Sequence, residues 1–162
     1  MLQPDLYYSS VSAIDLADLR GRGITCLLID LDNTLLARDR PAVGEVEMAF
    51  AEHVRDAGMR GCLVSNNWHD RVHAAASALG FELVPRALKP LPFGFTQGMR
   101  LADAQRSQTA VIGDQLFTDI LGGNALGLLT ILVQPLSATD LPHTLLLRKL
   151  EALVLAKRAP VA

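Results

Sequence analysis

Cysteine and aromatic side chains are what this sequence has least of: two cysteines, one tryptophan and 5% aromatic residues in 162. Cys26 and Cys62 lie inside apolar, strand-like runs with no neighbouring ligand at metal spacing, which favours buried free thiols over a disulfide or a metal pair. Such thiols suit a reducing cytoplasm. Charge of one sign is also missing. Fifteen Lys and Arg against 17 Asp and Glu leave a net charge of −2, which gives no global attraction to nucleic acid or anionic lipid. Basic and aromatic residues are not interleaved, so no nucleic-acid partner is expected.

Long hydrophobic runs are absent too. Half of the residues are hydrophobic, yet no uncharged stretch reaches the roughly 18–20 residues of a membrane span. The nearest candidate, residues 120–133, is interrupted by Gly122, Gly123, Asn124 and Gly127 and reads as helix, turn and buried strand. Residues 1–5 lack the basic start and apolar core of a signal peptide. The expectation is one soluble, cytoplasmic domain over residues 1–162.

What is present is an alternation of short apolar runs with helix-like segments. Strands are expected over 24–29, 61–64, 81–84, 109–112 and 128–133. Helices are expected over 45–57, closed by Gly58, over 70–79, closed by Gly80, and over 92–104 and 115–126. This order predicts a three-layer, Rossmann-like α/β sandwich with a mostly parallel five-stranded sheet.

Ligands of such a sheet bind beyond the carboxyl ends of its strands. Polar groups gather there: Asp30-Leu31-Asp32-Asn33-Thr34 after the first run, Ser65-Asn66-Asn67 after the second, Lys89-Pro90 after the third, and Gly113-Asp114 with Asp119 after the fourth. Carboxylates two residues apart on an extended backbone project to one side. Asp30 is then placed to attack phosphorus, and Asp32 to give a proton to the leaving oxygen and later take one from water. Several carboxylates in one place call for a hard cation, and Mg²⁺ suits a phosphate site. Asp30 and Asp114 are the expected side-chain ligands, with Asp119 orienting a metal-bound water. Ser65, Asn66 and Lys89 offer donors and a positive charge to phosphoryl oxygens, and Thr34 with the backbone N–H groups after Asp30 completes a phosphate-binding turn.

Taken together and in order, these residues resemble the four motifs of the haloacid dehalogenase superfamily, over residues 24–133. The resemblance implies a phosphoaspartate on Asp30, acid/base work by Asp32, and a metal contact from the Asp32 backbone carbonyl. The short gaps between Asp32, Ser65 and Lys89 leave no room for a cap domain, so the site is expected to be open. Pro4-Asp5-Leu6-Tyr7, Ile14-Asp15, the Asp32-Asn33-Thr34-Leu35 run, Ser65-Asn66-Asn67 and Lys89-Pro90 further resemble the YqeG-like subclass IIIA phosphatases. Those are related to mitochondrial-type phosphatidylglycerophosphate phosphatases, which implies a lipid phosphate at a membrane surface as the leading substrate. Soluble sugar phosphates, nucleotides and phosphoproteins are the alternatives within the same chemistry.

A receiver-like signalling domain uses similar groups, but there the lysine comes near the end of the chain, whereas Lys89 precedes Asp114. A non-catalytic phosphate-binding protein would have no use for Asp32. His69 and His73 stand four apart, yet no third ligand is near, which favours a polar helix face over a metal site. Trp68 is placed to border the pocket mouth or to pack. A C-terminal helix over about 141–158 gathers Leu146, Leu147, Leu150, Leu153 and Val154 on one stripe, fit for the core, a homo-oligomer contact or a peripheral contact with the inner membrane surface.

Overall fold

A computed structural model of the chain describes residues 1–137 and Pro160. The expected C-terminal helix, with the oligomer and membrane contacts assigned to it, lies outside the described residues. Six parallel strands form one sheet: β1 (Leu6–Tyr8), β2 (Cys26–Ile29), β3 (Arg60–Val64), β4 (Glu82–Val84), β5 (Thr109–Gly113) and β6 (Leu129–Val133). Their spatial order is β1-β6-β5-β2-β3-β4, which puts β2 and β5 at the centre.

The strands are mostly apolar because both faces of the sheet are covered, with the charged Arg60 and Glu82 at the exposed starts of β3 and β4. Side chains alternate between the faces. Leu27, Ile29, Leu63, Ala110 and Ile112 enter one core with Phe50, Val54, Val72 and Leu79 from α2 (Glu45–Asp56) and α3 (Asp70–Leu79). Cys26, Leu28, Cys62, Val64 and Val111 enter the other, against Phe95 and Met99 of α4 (Pro92–Leu101). The shorter α1 (Leu16–Gly21) and α5 (Leu121–Ala125) complete the two helical layers. The three-layer sandwich is thus as expected. No inserted domain interrupts the segments between Asp32, Ser65 and Lys89; they hold only turns, α2, β3, α3 and β4.

Three details differ from expectation. The sheet has a sixth strand, β1, whose three residues carry no periodic signal of their own. It is pinned beside β6 by Asp5, which accepts from the Thr130 N–H (2.8 Å) and hydroxyl (3.0 Å). The single helix expected over 115–126 is a π-helical turn, Leu116–Ile120, running into α5. Helix α4 ends at Leu101 rather than 104, and its glycines are contact points: a methyl on Gly98 would come within 2.8 Å of Leu28 Cδ2. Gly58 (φ 69°) and Gly80 (φ 67°) hold the left-handed positions expected after α2 and α3.

Candidate active site

Parallel register aligns the ends of β2, β3 and β5: Ile29 lies beside both Leu63 and Ile112. The residues that follow these strands therefore share one rim. Asp30 leaves the end of β2, Ser65 the end of β3 and Asp114 the end of β5, while Asp119 comes from the π-helical turn and Lys89 from the loop after β4.

Lys89 Nζ sits between two carboxylates, 2.6 Å from Asp30 Oδ1 and 2.7 Å from Asp119 Oδ1. The Thr34 hydroxyl lies 3.2 Å from Asp30 Oδ2 and 3.0 Å from Asp114 Oδ1, so its one proton is shared between them. Asp30, Asp114 and Asp119 each offer an oxygen within 4.8 Å of the others. Burial pushes the Asp30 carboxyl up to about 8, against the pull of the Lys89 ammonium and with the push of Asp119 and Asp114. Burial works the other way on Lys89, but Asp119 and Asp30 outweigh it, so the ammonium is held more firmly than usual. One buried cation thus faces three carboxylates. An all-oxygen donor set with surplus negative charge fits a hard divalent cation such as Mg²⁺.

Asp32 is held apart from this cluster. After Ile29 the chain turns, with Asn33 at φ 64°, and Asp30 and Asp32 take different hydrogen-bond partners. Asn67 Nδ2 donates to Asp32 Oδ2 (2.6 Å) and Arg71 Nη1 to Asp32 Oδ1. The same guanidinium donates from Nε to Arg40 O (2.9 Å) and from Nη2 to Ala37 O (2.8 Å). Arg71 was not singled out in the sequence. Its only signal was a position on the first turn of α3, six residues after Ser65.

Two other rim groups bond to neighbouring backbone. The Asn66 amide grips the Lys89 backbone from both sides, accepting from its N–H (2.7 Å) and donating to its carbonyl (3.3 Å). Ser65 Oγ accepts from Asn67 N–H (3.1 Å). The Ser65 proton stays free to be donated among the described residues. His69 and His73 are exposed, and the described residues place no third ligand with them.

The chain is similar to known proteins in sequence and in fold. A HAD-hydrolase-like family profile matches residues 86–135, the stretch that holds Lys89, Asp114 and Asp119. The probable phosphatase YqeG of Bacillus subtilis is 35% identical over 137 residues, covering 85% of this chain and 80% of that protein. The chain belongs to the haloacid dehalogenase (HAD) superfamily, in its YqeG-like branch. As a HAD phosphatase it is a phosphoric monoester hydrolase.

Phosphatidylglycerophosphate phosphatase 1 of Arabidopsis thaliana is 27% identical across 96% of this chain, which spans 47% of that longer protein. Among solved structures, an uncharacterized protein from Listeria monocytogenes superposes with a TM-score of 0.57 at 16% identity, over 78% of this chain and 99% of the other. The cobalt-bound deoxy-D-mannose-octulosonate 8-phosphate phosphatase of Haemophilus influenzae gives 0.52 at 16% identity, over 83% and 89%. At such identities the likeness is one of HAD fold.

Proposed function

We propose that this HAD phosphatase works through Asp30 as nucleophile and Asp32 as acid and base, with Mg²⁺ as its metal. The observation that supports this most directly is the setting of the two carboxylates: Asp30 inside the Lys89–Thr34–Asp114–Asp119 cluster, Asp32 outside it on Arg71 and Asn67. Asp30 attacks phosphorus, the bond to the leaving oxygen breaks, and Asp32 supplies that oxygen's proton. Water then attacks the phosphoaspartate, Asp32 takes the water's proton, and the bond to Asp30 breaks to release phosphate.

Lys89 and the Ser65 hydroxyl bind phosphoryl oxygens, and Thr34 orients Asp30 and Asp114. Asn66 acts one step back, by holding the Lys89 backbone. The side chains of Asp30, Asp114 and Asp119, with the Asp32 backbone carbonyl, would hold Mg²⁺. When bound, that ion supplies charge neutralisation of the phosphoryl group.

The substrate we propose is a lipid phosphate of the phosphatidylglycerophosphate kind. The named activities of the plant and algal relatives support it, the algal one being 29% identical over 95% of this chain. The reading places the chain in the cytoplasm, at the inner membrane surface, as a single domain. Among the described residues no helix is long and apolar enough to cross a membrane.

Phosphate release across lipid, sugar, nucleotide and peptide phosphates, with Mg²⁺ present, tests the substrate. Asp30→Asn and Asp32→Asn should each remove turnover by several orders of magnitude. Near-native activity of Asp30→Asn would refute the covalent route.

A further inference from the structure

The rim beside the site carries an apolar surface that catalysis does not use. Eight large hydrophobic side chains are exposed among the described residues, and half of them lie on the loops after β3 and β4 and at the start of α4: Trp68 (50% exposed), Leu88 (60%), Leu91 (57%) and Phe93 (59%). Exposed apolar residues scattered singly need no explanation, but four on the loops beside a catalytic mouth do. Pro90 and Pro92 are exposed between them.

The patch is held in shape. Leu91 N–H donates to Leu88 O (2.9 Å), Arg86 N–H to Asn67 O (3.2 Å), and the Arg86 guanidinium lies 4.8 Å over the Trp68 ring. Asn66 fixes the backbone of Lys89 in the middle of it. Lys89 itself turns inward to Asp30 and Asp119, so the loop that presents these side chains outward also reaches the reacting centre.

Charge points to the occupant. Apart from the buried Lys89, residues 83–102 carry the exposed Arg86 and Arg100 and no Asp or Glu, in a chain whose net charge is −2. Arg86 and Arg100 are exposed, and Arg100 lines a shallow groove with Leu91 and Phe93. Apolar tips, a tryptophan and flanking arginines are what an anionic bilayer surface accepts at headgroup depth.

We infer that Trp68, Leu88, Leu91 and Phe93, flanked by Arg86 and Arg100, form a docking face that seats the catalytic mouth on an anionic bilayer. This rests on the lipid-phosphate reading above and adds the surface by which the substrate is reached.

Trp68 is the only tryptophan in the chain, so its emission reports the proposed face directly. Full-length protein with Mg²⁺ is mixed with vesicles of phosphatidylcholine alone or with phosphatidylglycerol. The expected result is a blue shift and co-sedimentation with the anionic vesicles, weakening as salt rises. The double variant Leu91→Ser/Phe93→Ser should lower partitioning at least about tenfold, while hydrolysis of a soluble aryl phosphate stays unchanged. Val46→Ser, at an exposed position on the opposite helical layer, should bind as wild type.

Absence of a blue shift, or undiminished binding by the double variant, would overturn the inference. So would a concentration-dependent dimer lost in that variant without vesicle binding, which would assign the face to a second copy. Vesicle binding without lipid-phosphate hydrolysis would sink the substrate reading and keep the docking face. Hydrolysis of a short-chain, monomeric lipid phosphate without vesicle association would do the reverse.

Discussion

Arg71 uses all three of its guanidinium nitrogens, one on Asp32 and two on the carbonyls of Ala37 and Arg40. It thereby ties the proposed acid/base to the loop that follows it. If Arg71 and Asn67 position Asp32, their loss should matter most where the leaving oxygen needs a proton. Arg71→Ala and Asn67→Ala are expected to slow an alkyl phosphate roughly tenfold or more beyond their effect on a nitrophenyl phosphate, whose leaving group needs little protonation. Equal losses on both substrates would make the pair merely structural. That Asp30, Ser65 and Asp114 would gather on one rim was legible, because each directly follows a buried parallel strand. Arg71 was not, since an arginine at the start of a helix reads as surface until the loop at 37–40 folds back onto it. The same holds for the Asn66 amide, whose grip on Lys89 depends on a contact 23 residues away.

Among elements, the strands that carry the site were readable because a strand buried on both faces must be apolar along its whole length. The π-helical turn was hidden for the opposite reason, as its residues have ordinary helical composition. Its purpose is visible at Gly113: a Cβ there would overlap the Asp119 carboxyl group. Only glycine at the end of β5 lets this carboxylate fold back over the strand toward Lys89. Gly113→Ala should displace Asp119 and lower kcat on the order of a hundredfold, as small misplacements in a catalytic site do. Thermal unfolding measured beside kcat would separate this from collapse, because the group that must move is a side chain. Gly98 reads the same way in packing, since it lets α4 lie close over Leu28 and Val64.

For the whole molecule, the second core sets its response to alkali. Burial pushes the Cys26 thiol up to about 11 and the Cys62 thiol up to about 12, whereas an unfolded chain ionises its thiols near about 8.5. Their contribution to stability is therefore complete below about pH 8.5 and is lost as the pH rises through these folded values. Native protein should be inert to a thiol reagent at pH 7, with both thiols reacting once denaturant is added. Unfolding free energy should decline above pH 9, and rapid labelling of the native state at pH 7 would contradict this account. The absence of a cap belongs to this scale too: among the described residues no inserted domain covers the rim.

The place of β1 has a further consequence for the order in which the molecule is built. Among the described residues its only neighbour in the sheet is β6, and the Asp5–Thr130 bonds that fix it span 125 residues. During synthesis, β2 can meet β3 after one helix, and β3 can meet β4 after one more. β1 precedes all of these in the sequence, yet it can pair only once β6 has been made.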